Sequence, residues 1–119
     1  MSLLTQTVKS GDWKNEKHVP EIEAKLEGGV AKVKVSVGSE IEHPNTLEHH
    51  ISWIKVFFLP EGGAAPVEVG SYEFNNHGES DVFTVPHVHT TFKTEKTGTV
   101  FALSMCNIHG LWENALELK

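Results

Sequence analysis

The sequence predicts an all-β fold, a seven-stranded antiparallel β-sandwich of immunoglobulin-like type. Residues 30–37 alternate valine with small or charged residues, the two-residue period of a strand with one wet face. Turn residues recur at short, regular intervals from residue 28 onward, which suits short strands joined by tight connections. No apolar stripe at helical spacing persists for three turns, so no helix is expected.

Taken in order, residues 1–20 read as a loop. Ser10-Gly11-Asp12-Trp13-Lys14-Asn15-Glu16-Lys17-His18-Val19-Pro20 is polar, rich in turn residues and closed by proline. Residues 22–27 and 30–37 are expected to pair as a hairpin across Gly28-Gly29. Residues 50–59 are nearly continuous in apolar and β-branched side chains, the pattern of a central strand, and Pro60-Glu61-Gly62-Gly63 stops them. Residues 67–74, 82–93, 99–106 and 112–118 supply the remaining four strands. Residues 1–119 form one domain on this reading, with 1–20 an N-terminal loop contributing to a site on the sandwich.

Composition narrows the function. All ten basic residues are lysine and the net charge is −6, so the bidentate arginine contacts that grip phosphates and read bases are missing. Nucleic acid is not expected as a partner. No run approaches the roughly 20 apolar residues of a membrane span. The first ten residues lack the basic start and apolar run of a signal peptide. With a single cysteine, the expected location is cytoplasmic. Eight histidines in 119 residues are an excess that points toward metal.

That one cysteine lies in Cys106-Asn107-Ile108-His109-Gly110-Leu111-Trp112-Glu113. A thiolate three residues before an imidazole, with no second cysteine for a disulfide, suits one metal ion. Gly110 lets the backbone turn tightly behind the histidine. Further imidazoles come from His18 in a proline-stiffened loop, His43 before Pro44-Asn45-Thr46, and Glu48-His49-His50. Adjacent strand residues point to opposite faces, so only one of His49 and His50 should face a given site; parity does not say which. His87 and His89 share a strand face at a zinc-like spacing, but no third ligand lies near them in sequence. His77 reads as a turn residue, and Trp13, Trp53 and Trp112 as core or site-wall packing. The residues alone lead to a mononuclear Cys/His metal site on a β-sandwich, with zinc, copper and iron all open.

Three of these stretches together resemble a known family. Glu16-Lys17-His18-Val19-Pro20, then His43-Pro44-Asn45-Thr46-Leu47-Glu48-His49-His50, then Cys106-Asn107-Ile108-His109-Gly110-Leu111-Trp112-Glu113 are similar to superoxide reductase, and more narrowly to its short one-iron form, neelaredoxin. The likeness also takes in Ser10-Gly11-Asp12-Trp13-Lys14, the Leu59-Pro60-Glu61-Gly62 turn and His77-Gly78-Glu79-Ser80. It implies one mononuclear iron, cycling between Fe2+ and Fe3+, held by four equatorial histidines and an axial thiolate. Matched motif by motif, the histidines are His18, His43, His49 and His109, and the thiolate is Cys106. The family's glutamate, which takes the sixth position of oxidised iron, falls on Glu16, and its lysine falls on Lys17. The four-cysteine iron domain of longer relatives has no counterpart here. The implied reaction is one-electron reduction of superoxide to hydrogen peroxide, with re-reduction by an electron-donor protein such as rubredoxin. The resemblance also implies a homo-oligomer, a tetramer.

The principal rival is a cupredoxin-like copper electron carrier, likewise a β-sandwich with an early histidine and a late cysteine–histidine loop. No methionine follows His109, which counts against it. A structural zinc module is also opposed, since five candidate ligands exceed the four of a closed tetrahedral site.

Overall fold

Alternation and turn chemistry become two antiparallel sheets in the computed structural model, which describes residues 3–10, 18–38 and 42–119. The strands are β1 (Pro20–Glu27), β2 (Val30–Val37), β3 (Ile51–Pro60), β4 (Val67–Glu73), β5 (His87–Lys93), β6 (Gly98–Cys106) and β7 (Gly110–Leu118). One sheet has the order β1-β2-β5, the other β4-β3-β6-β7. The predicted sandwich is the observed one. β1 and β2 pair in unbroken register across Gly28 and Gly29, whose φ values of +58° and +76° are those of a tight hairpin that a side chain would strain. β3 lies between β4 and β6, as its near-continuous apolar run requires.

Between the sheets, Val33, Val35 and Val37 of β2 meet Ile54, Val56 and Phe58 of β3 in one core. Each such side chain contributes about 1.5–3 kcal/mol by leaving water. The inward positions of β6 are Val100, Ala102, Ser104 and Cys106, all buried. The alternation that builds the core therefore also delivers the cysteine to its edge.

Several boundaries differ from expectation. The predicted strand 82–93 begins only at His87. Glu79–Asp81 form a single 3-10 turn, Phe83 bridges back to His77, and Pro86 has no N–H for a ladder; its carbonyl instead accepts from Val37 N–H at 3.0 Å. Residues 3–10 are not wholly loop either. Leu4–Thr7 form one helical turn, and Lys9 then pairs with β7 through Lys9 N–H to the Leu111 carbonyl (3.1 Å) and Glu113 N–H to the Lys9 carbonyl (2.8 Å). Strand β3 starts at Ile51, one residue after His50. No helix among the described residues is long and apolar enough to cross a membrane.

The chain crosses between sheets through residues 38–50, 74–86 and 94–97. The first crossing, the approach to β1 and the β6–β7 turn all meet at one end of the sandwich, where Ile51 pairs with Cys106 and Pro20 with Val37. A bulge sits there, because Ser52 has no partner between the Ile51–Cys106 and Trp53–Met105 pairs. Such an extra residue bends the strand and re-aims what precedes it, here His49 and His50.

Candidate metal centre

Cys106 ends β6 facing inward and is 1% exposed. The chain reverses over residues 107–109 into Gly110, whose φ of +84° is the left-handed conformation that glycine adopts without strain. The reversal brings His109 back over the sulfur. Its N–H donates to Sγ at 3.3 Å, and its ring Nδ1 lies 3.6 Å from the same sulfur. Trp112, in β7, donates its Nε1–H to the His109 carbonyl at 3.3 Å.

Three further imidazoles arrive from upstream. His18 precedes β1, is buried, and has its carbonyl held by the Ser104 hydroxyl at 3.1 Å. Its ring stacks on Trp112, centroids 4.9 Å apart and planes within 15°. His49 places Nε2 3.1 Å from His109 Nδ1. One donor atom from each of His18, His49, Cys106 and His109 lies within 4.8 Å of the others. His43 stands beside them, its ring centroid 4.7 Å from that of His18 and 4.6 Å from that of His49. A carbonyl can only accept, so the 2.6 Å contact from His43 Nδ1 to the Pro44 carbonyl places the proton on Nδ1 and the lone pair on Nε2 of the neutral ring.

His50 takes no part in this cluster. Its ring stacks on His77 with centroids 3.6 Å apart, and its Nδ1 meets the Thr46 carbonyl at 2.9 Å. The parity expectation treated the pair as opening a strand that began at His50, whereas both histidines precede the observed strand. A turn closed by Thr46, not strand alternation, separates their directions: Thr46 N–H donates to the His49 carbonyl at 2.9 Å, and His49 N–H to Thr46 Oγ1 at 3.2 Å. His77, read as a turn residue, proves to buttress the site, with Nδ1 3.1 Å from Asn45 Oδ1 and its pKa pushed below the ordinary value first by burial and then by the nearby His50. His87 and His89 lie exposed on the outer face of β5, beside Ser36 and Lys34, away from the cluster. Glu16 and Lys17 fall outside the described residues. Ser104, Asn107 and the N-terminal pairing of Lys9 escaped sequence reasoning; a serine inside an apolar alternation was the one available signal.

The family model described as desulfoferrodoxin matches residues 10–115. The chain belongs to the desulfoferrodoxin family. It is 58% identical to a superoxide reductase of Pyrococcus horikoshii over 117 residues, 98% of this chain and all of that one. Among solved structures, a superoxide reductase in the oxidised state superposes with a TM-score of 0.91 at 54% identity, covering 97% of this chain and 98% of that one. The reduced neelaredoxin of Archaeoglobus fulgidus gives 0.88 at 52% identity, covering 94% and 98%.

The donor set of this desulfoferrodoxin-family chain fits iron. Three imidazoles and a thiolate converge, a combination of borderline and soft ligands that suits iron, zinc or copper, and a fourth imidazole adjoins them. With His43 beside the four converging donors, the set would exceed the four ligands of a closed tetrahedral zinc site. The family membership sets the copper-carrier alternative aside.

Proposed function

We propose that the chain is a superoxide reductase, converting superoxide, one electron and two protons into hydrogen peroxide at a mononuclear iron. The observation that carries this is the convergence of His18, His49, Cys106 and His109 within 4.8 Å in a chain of this family. The residues assigned to the metal are those four with His43, and Glu16 is assigned to the sixth position of the oxidised state. Iron, when bound, supplies the transferable electron and an open coordination position.

The protein's own residues divide the remaining work. His18, His43 and Cys106 are buried, while His49 is half-buried and His109 exposed, so the cluster opens to solvent on the His49–His109 side. Trp112, 2% exposed and stacked on His18, shields that ring from water. The Cys106 thiolate would hold the iron and supply electron density to it, which would favour loss of an electron to substrate. Lys17 is assigned a positive potential at the entrance, needed because a net charge of −6 repels an anion. Re-reduction falls to a donor protein of rubredoxin type. Assembly as a homotetramer and a cytoplasmic location complete the reading; exposed Val82, Phe83 and Val85 provide apolar surface for subunit contact.

Iron analysis combined with peroxide counting tests the function. With electrons supplied, a reductase yields one peroxide per superoxide consumed, whereas a dismutase yields half as much. The lower ratio, or a chain that does not retain iron, would overturn the assignment.

A further inference from the structure

The site's five donor residues are held in two different ways. His18, His43 and Cys106 are 5%, 3% and 1% exposed, so packing on all sides fixes them. His49 is half-buried and His109 exposed, so packing encloses their rings on fewer sides. Yet His49 Nε2 and His109 Nδ1 come to 3.1 Å from loops 60 residues apart in sequence.

Asn107 ties those two loops together. Its Oδ1 accepts from His50 N–H at 2.8 Å, its Nδ2 donates to the Glu48 carbonyl at 3.0 Å, and its own N–H donates to the His50 carbonyl at 3.1 Å. The bonds grip the chain on both sides of His49. The bonds of Thr46 to His49 span three residues and shape the turn itself; the Asn107 bonds, next to the Ile51–Cys106 ladder pair, fix where that turn sits relative to Cys106 and His109. A side-chain amide is suited to this because it presents an acceptor and a donor on one planar fork. Aspartate of the same length has no donor, and alanine has neither group.

We infer that Asn107 is a positioning residue of the metal centre, which sets the His49 imidazole against the Cys106–His109 pair and thereby fixes metal affinity and geometry without touching the metal. The inference rests on the proposed metal site. Partners that orient ligands in this way typically change metal affinity 10–100-fold when removed.

The test uses the whole chain, with Co2+ as the metal probe, its dissociation constant from chelator competition and its thiolate charge-transfer absorption. The unaltered protein should bind one Co2+ with that absorption; failure there removes the metal site and this inference with it. Asn107→Ala should bind 10–100-fold more weakly, with a displaced charge-transfer band, at a temperature where the metal-free variant is folded. If Asn107 serves the fold alone, the thermal midpoint of the metal-free protein falls while affinity stays within twofold and the spectrum is unchanged, and the inference is wrong. Should the alanine variant not fold, Asn107→Asp decides. It keeps the acceptor for His50 N–H and loses the donor to Glu48, so a smaller loss of affinity beyond twofold with a shifted band is expected. Affinity within twofold and an unshifted band would overturn the proposal.

Discussion

Cys106 combines two properties that usually exclude one another, chemical reactivity and near-complete burial. At 1% exposure its sulfur is almost wholly closed off from solvent, which limits its oxidation by peroxide. Cys106→Ser preserves most of the buried volume and removes the soft donor. Superoxide reduction should disappear together with the thiolate charge-transfer absorption of the oxidised protein, even where elemental analysis still finds iron. On the proposed function, Lys17 acts in the encounter rather than in the electron transfer. Lys17→Ala should slow the bimolecular rate by about tenfold at low ionic strength and flatten its dependence on salt. Stopped-flow rates at several salt concentrations check this, and an unchanged rate at low salt refutes the role. At this scale the sequence was readable where a residue type is rare: the lone cysteine and the excess of histidines pointed to a metal directly. It was mute on Asn107, because an asparagine in a turn has an ordinary local explanation and its partners lie 57 and 59 residues away.

The connection 74–86 shows how an element supports a site it never enters. His77 stacks on His50, reaches Asn45, and so braces the loop that carries both His43 and His49. Burial first, and the charge of His50 second, hold the His77 pKa below its ordinary value. The unfolded chain therefore takes up a proton at about pH 6.5, before the folded protein does. Stability is unaffected above that pH and declines as pH falls from 6.5 toward the lower folded-state value. His77→Gln should flatten this decline, as read from urea midpoints of the metal-free protein across that range; an unaltered slope would assign the acid sensitivity elsewhere. The same connection is where strand prediction overran. Residues 82–85 carry a strand-like composition, but the glycine-led turn at residues 78–81 and Pro86 prevent them from joining the ladder. The Gly28-Gly29 hairpin was legible because its entire cause is local. The Lys9 pairing with β7 was not, since nothing in residues 3–10 encodes a partner over 100 positions later.

Across the whole molecule, seven strands follow from alternation and turns, but their division into sheets of three and four does not. That division is decided by which faces meet, a property of pairs of elements far apart in sequence. The proposed donors also come from both layers: His18 leads into the three-stranded sheet, His43 and His49 lie in the crossing between sheets, and Cys106 and His109 join two strands of the four-stranded sheet. Metal binding is thus coupled to the docking of one sheet on the other. At free metal 100 times the dissociation constant it should add about 2.7 kcal/mol, raising Tm by about 10 °C in a domain of this size. Calorimetry with and without chelator measures that difference, and equal midpoints would place the metal outside the folded core. All of this fastening lies at one end. The opposite end is closed by the turns at residues 28–29 and 61–66, the 94–97 crossing between the sheets and the exposed Thr97–Glu61 hydrogen bond, with no candidate metal donor among its described residues. With metal loaded, the two sheets are clasped at one end by ligands and at the other by a single covalent crossing, so amide exchange should slow on metal addition chiefly around residues 18–20, 49–51 and 104–110.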